Sequence, residues 1–140
     1  MDAATYPMKD ERIAEMRFLR GHGLFLLKKL FKKIVIPDET ISDDEYATLP
    51  NNVYNNDEQW QKIADDFKFA FDHLPDTQTD KGRPTKASAS AYLARTMLYK
   101  AYRQDEKNNV TSINEDDLKA VLTYTDEQIM IAGSYGLESD

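Results

Sequence analysis

The chain has 140 residues, 25 acidic against 18 basic side chains, a net charge of −7 and no cysteine. That length is enough for one domain with its own core, and the absence of thiols excludes a disulfide framework, a thiolate metal site and a cysteine nucleophile. The acidic balance repels phosphate backbones, so no nucleic-acid partner is expected.

The opening, MDAATYPMKDERI, lacks the charged-then-apolar design of a secretion signal. The longest apolar run, Leu24-Phe25-Leu26-Leu27, falls far short of the ~20 residues that span a bilayer, so the chain is expected to be soluble. A first helix is predicted to start between Pro7 and Asp10 and to run to about Lys33. Ile13, Met16, Gly23, Leu27, Leu30 and Ile34, with Arg20 among them, follow a three-four alternation and form its expected core stripe. Lys28, Lys29, Lys32 and Lys33 fall on the other side. They read as a solvated face, or alternatively as a basic face lying on an anionic membrane surface. Gly21 and Gly23 each cost roughly 1 kcal/mol against alanine in a helix, which predicts a kink or a close helix contact.

Residues 35–56 show no sustained periodicity and make a connection of about twenty residues, longer than most loops inside a compact domain. Tyr46 and Tyr54 lie in it, with Trp60 just beyond. Aromatic faces beside Asn and Asp side chains suit a sugar, whose C–H groups stack on rings while its hydroxyls meet polar groups. The plainer reading is that these rings pin the loop to the helices. A second helix begins at Asn55 or Asn56, where Asn56 and Gln59 fit a capping arrangement. Trp60, Ile63, Phe67, Phe71 and Leu74 form its stripe and Pro75 ends it.

Gly82-Arg83-Pro84 is a turn signal, and Thr85 is the expected N-cap of a third helix. Ala87, Ala91, Ala94, Leu98 and Ala101 make a stripe of small residues, so this helix is expected between neighbours. Residues 104–111 form the next connection. Ser112 or Asn114 caps a last helix with the stripe Leu118, Val121, Leu122, Thr125 and Ile129, and Gly133 stops it. No stretch alternates strictly enough to predict a sheet; Val35-Ile36 and Tyr135-Gly136-Leu137 offer only brief pairing. The expected fold is all-α, with about four main helices stacked as tetratricopeptide-like hairpins and one long irregular loop.

Catalytic chemistry finds little support. His22 and His73 lie on different predicted helices without metal spacing. Asp43-Asp44-Glu45, Asp65-Asp66 and Glu115-Asp116-Asp117 lack the spacing of a calcium loop. No phosphate-cradling or nucleophile-elbow motif occurs. No catalytic residue, metal or cofactor is expected, and the chain reads as a binding protein, not an enzyme.

Four segments, in order, resemble the SusD/RagB family of outer-membrane nutrient-binding lipoproteins of Bacteroidetes. Glu11 through Arg20 (ERIAEMRFLR) is similar to the family's "EARFLRA" helix, and Ile63-Ala64-Asp65-Asp66-Phe67 closing on Leu74-Pro75 to its "I-x-D-L…LP" helix. Gly82-Arg83-Pro84-Thr85-Lys86 resembles its "GRATK" segment, and Asp126-Glu127-Gln128-Ile129 with Gly133-Ser134-Tyr135-Gly136-Leu137 its "ADEVI-x-SGKYGL". Gly21-His22-Gly23 departs from the family, which prefers bulky aromatics there. The resemblance implies that residues 1–140 are one helical domain, a portion of a longer lipoprotein. It implies an outward-facing place at the outer membrane, held by a lipid anchor on a cysteine this chain lacks. It further implies capture of an oligosaccharide ligand and its transfer to a SusC-like, TonB-dependent transporter. Tyr54, Asn55 and Trp60 are the candidate ligand-binding residues. Arg83 and Lys86 are expected to fix the helix entry, Arg83 by bonding carbonyls of a neighbouring loop and Lys86 by pairing with an acid. The alternative function is a generic tetratricopeptide protein–protein interaction module.

Overall fold

The computed structural model describes residues 8–37 and 39–126. In chain order these form α1 (Lys9–Leu30), a short α2 (Asp43–Tyr46), α3 (Asn56–His73), α4 (Lys86–Ala101), β1 (Tyr102–Gln104), β2 (Val110–Ile113) and α5 (Glu115–Leu122). The long helices pack in succession, α1 on α3, α3 on α4 and α4 on α5, with only a light touch between α1 and α4. The architecture is all-α and tetratricopeptide-like, and α4 sits between two neighbours.

Local chemistry sets the helix ends. Asn55 accepts from the Glu58 backbone N–H while Glu58 reaches back to the Asn55 N–H, a reciprocal cap one residue earlier than the Asn56 and Gln59 pair expected. Thr85 and Ser88 do the same for α4, and Asn114 accepts from the Asp117 N–H at α5. Gly82 takes φ 99°, a left-handed conformation that glycine adopts without strain, in the turn before α4. Ile129, Gly133 and residues 135–137 lie outside the described residues.

Phe25 of α1, Trp60, Ile63 and Phe67 of α3, and Leu93 of α4 form the centre of the core. Phe67 stacks on Tyr92 at 5.2 Å, Phe25 meets Trp60 edge-on at 5.8 Å, and Trp60 stacks on Tyr99 at 5.3 Å. Such pairs contribute about 0.5–1.5 kcal/mol each beyond the area they bury.

The face that α1 buries is not the expected stripe. Ala14, Glu15, Gly21, Leu24, Phe25 and Lys28 turn inward, whereas Met16, Leu27 and Leu30 are exposed. The helix is apolar on two sides, and the side carrying the bulky aromatic Phe25 wins the core. Lys28 is correspondingly buried, so the lysines do not form one solvated or membrane-facing side. On α4 the buried set is Ala89, Ser90, Leu93, Ala94, Thr96 and Ala101; Ala91 and Leu98 are exposed.

The close helix contact expected near the glycines occurs at Gly21. A Cβ there would stand 3.2 Å from the Asp66 Cβ and 3.3 Å from two Phe67 ring carbons, whereas one at Gly23 would meet nothing within 4 Å.

The expectation of no sheet is overturned. β1 and β2 pair antiparallel, with an irregularity between Arg103 and Gln104. The Asp105 carboxylate closes the turn by accepting from the backbone N–H groups of Lys107 and Asn109 at 2.8 and 2.9 Å. Every β2 residue is exposed, so these strands bury no face and leave no apolar alternation to read.

Gln59 organises the long loop. Fully buried, its amide nitrogen donates to the backbone carbonyls of Asn51 and Tyr54 at 3.2 and 3.1 Å, and its oxygen accepts from the Ile34 N–H at 3.3 Å. One side chain of α3 thereby ties down both ends of the connection.

Gly23→Ala should raise stability by about 0.5–1 kcal/mol through helix propensity alone. Gly21→Ala should lose stability, because α1 and α3 must part to admit the methyl group. Urea unfolding of the two variants against the parent chain checks both signs.

Candidate functional site

Two clefts bear on the residues singled out from sequence. The first, about 220 Å³, lies between α1, α3 and the start of the long loop, with Arg17, Arg20, Glu39, Tyr54, Lys62 and Asp66 among its walls. Arg17, Arg20, Glu39 and Asp66 pair with one another across it. Arg20 forks onto Asp66 at 2.7 and 2.5 Å and reaches Glu39 at 2.9 Å; Arg17 lies 3.3 Å from Glu39 and sits over the Phe69 ring. The Asp66 hydrogen bonds, opposed by burial, raise the Arg20 pKa above its ordinary range. Lys62 covers the Tyr54 ring at 5.2 Å.

The second cleft, about 250 Å³, lies where the end of α1 meets the start of α3 and the β1–β2 hairpin. Lys28, Lys29 and Lys32 line it, with Asn56, Gln104 and Asn108 at hand and Trp60 and Tyr99 among its walls. Lys28 donates to the Lys32 carbonyl and to Asn56 Oδ1 at 2.9 Å, and Lys32 donates to the Asp105 carbonyl and to Asn108 Oδ1 at 2.9 Å. Burial first, and the neighbouring Lys32 charge second, pull the Lys28 pKa down to about 8.

The candidate residues Tyr54, Asn55 and Trp60 are therefore not gathered into one site. Tyr54 borders the first cleft, half-buried. Asn55 spends its side-chain oxygen on the cap of α3. Trp60 is 6% exposed, stacked on Tyr99 and flanked by Phe25, and it pins the core as the plainer reading held. Sequence reasoning does not single out Tyr99, and it places Lys28 on a solvated face. Tyr99, in the last turn of α4, is 39% exposed and offers the aromatic surface that Trp60 does not.

Arg83 does fix the entry to α4, but its partner is a carboxylate, not loop carbonyls: it holds Glu15 of α1 at 2.8 and 2.9 Å and Asp80 at 3.1 Å. Burial works against the Glu15 charge, yet the Arg83 and Arg12 guanidiniums outweigh it and hold the carboxyl below its usual range. Lys86 finds an aromatic face instead of an acid, 5.1 Å from the Phe71 ring centre. Among the described residues no group of three or more His, Asp or Glu converges as a metal site, and no helix is long and apolar enough to cross a membrane.

Two outcomes follow from these charges. Asp66→Ala should destabilise by about 1.5–3 kcal/mol, since it removes the fork and leaves Arg20 only the exposed Glu39; thermal or urea unfolding reads the loss. Lys28 holds its proton less tightly folded than unfolded. The parent chain should therefore gain stability relative to Lys28→Met as pH rises from about 8 toward 10.5, and gain nothing below that window.

No family model matches the chain. It is 35% identical over 89 residues to SusD-like protein P2 of Formosa agariphila, covering 61% of this chain and 17% of that protein. It is 26% identical over 119 residues to a SusD-like protein of Bacteroides ovatus, covering 85% of this chain and 20% of that protein. The chain thus spans about a fifth of the length of the curated relatives it matches. A crystal structure of a SusD-like protein from Bacteroides fragilis superposes with a TM-score of 0.72 at 22% identity, over 96% of this chain and 23% of that one. Over most of the chain, the sequence is similar to these SusD-like proteins and the fold is shared with the solved one.

Proposed function

We propose that this chain is the helical-repeat portion of a longer outer-membrane, outward-facing glycan-binding lipoprotein. It takes part in capturing oligosaccharide and passing it to a TonB-dependent transporter, and it does so by binding, without catalysis. The observation that carries the reading is the agreement of sequence and stacked-helix fold with SusD-like proteins over most of the chain. Tyr54 is the loop aromatic retained as a sugar contact, since Trp60 is committed to the core and Asn55 to a helix cap. The outward stripe of α1, with Met16, Leu27 and Leu30 exposed, supports a second reading, a surface that packs against protein.

Calorimetry of the chain against a panel of neutral oligosaccharides tests capture. Tyr54→Ala should weaken binding about fivefold, the effect of losing about 1 kcal/mol of ring contact. A folded chain that gives no heat of binding with any oligosaccharide of the panel would overturn capture by this portion. Trp60→Ala is a poor probe, because emptying that core position costs about 3–5 kcal/mol.

A further inference from the structure

We infer that the cleft between the end of α1 and the hairpin binds the anionic group of an acidic sugar, a uronate carboxylate or a sugar sulfate, which names a ligand class within the capture reading and rests on it. The argument begins with Lys28. Its side chain is about nine-tenths or more buried, yet both of its hydrogen-bond acceptors are neutral oxygens. In a chain with 25 acidic side chains, no described carboxylate lies within ion-pair distance of Lys28 or of its neighbour Lys29. Lys33 has one such partner, the exposed Glu106 at 3.5 Å. Asp57 and Glu106 act on Lys28 only from beyond ion-pair distance and do not offset its burial, so the ammonium is held at a cost to stability that an anion entering the cleft reduces. An ammonium has three protons to donate, and Lys28 uses two inside the protein.

The walls suit a sugar more than a bare ion. Tyr99, stacked on Trp60, presents a partly exposed ring, and such a surface receives the C–H face of a pyranose. Asn56 and Asn108 commit their oxygens to Lys28 and Lys32; the Asn108 amide nitrogen is left as a donor, and Asn56 keeps one N–H beyond the long 3.5 Å bond it makes to Asp57 Oδ1; the Gln104 side chain has no partner among the described residues. At about 250 Å³ the space lies below the ~300–1,000 Å³ of ordinary small-molecule clefts, so it fits one acidic residue of a chain, not a long oligosaccharide. The net charge of −7 works against anions at long range, which makes the affinity weak and local to these lysines.

The test is an amide NMR titration with glucuronate, glucose 6-sulfate, glucose and inorganic sulfate. Both acidic sugars should move the signals of Asn56, Gln104 and Asn108, more so at low salt, and glucose should not. The stronger of the two identifies the anionic group. Lys28→Met should weaken the response at least about tenfold, as loss of a charged hydrogen bond does. Lys29→Met, at an exposed position whose contact with the core is its ammonium 5.8 Å from the Phe25 ring centre, should weaken it too. Acidic sugars that leave those signals still, or a response in both variants equal to that of the parent chain, would overturn the site. So would inorganic sulfate matching the sugars, which would make it an adventitious ion only. Neutral oligosaccharides binding near Tyr54 with the Lys28 cleft silent would remove this inference and leave capture standing. No saccharide binding to the folded chain would remove both.

Discussion

Asp66 is a carboxylate with 1% of its surface exposed, and the placing of α1 against α3 follows from how that charge is met. A carboxylate taken out of water needs a matched donor set, and the Arg20 guanidinium supplies it with two parallel bonds. The fork fixes the rotation of α1 as well as its distance, because only one face of the helix can present Arg20 to Asp66. The next residue, Gly21, lets the backbone come close enough for the pair to form. Phe67, one position beyond Asp66, then closes under Gly21 and stacks on Tyr92, which carries the same constraint to α4.

Much of the frame was legible in the sequence because it is set by local chemistry. Thr85 and Asn114 cap where their side chains can reach a free N–H, and Pro75 cannot continue α3, so these boundaries do not depend on distant contacts. The facing of α1 was not legible. Met16, Leu27 and Leu30 are as apolar as Leu24 and Phe25, and periodicity alone has no means of choosing between two stripes on one cylinder. What chose was tertiary: the Asp66 pair and the aromatic cluster. The hairpin is illegible for the opposite reason, since strands that bury no apolar side chain carry no pattern.

The candidate site divides along the same line. Tyr54 and Trp60 were named because aromatic rings beside a polar loop suit a sugar, but a tryptophan leading a helical stripe is drawn into the core, where its large area stabilises most. Lys28 reads from sequence as part of a solvated face because a buried lysine and a solvated one look alike as letters. An overall acidic composition also hides a local basic cluster: the charge average runs over the whole surface, whereas a cleft responds to the few groups within a Debye length of it.

Gln59 holds the long connection entirely through main-chain atoms, the Ile34 N–H and the carbonyls of Asn51 and Tyr54. Every residue type offers the same carbonyl, so this anchor is indifferent to what side chains the loop carries. The outer stretch beyond Glu39, from Ile41 to Pro50, is free of this anchor and can change in polarity while the two ends stay where α3 puts them. A scaffold of this kind separates inheritance of form from freedom of surface: the helices keep the frame, and the loop is left to diversify.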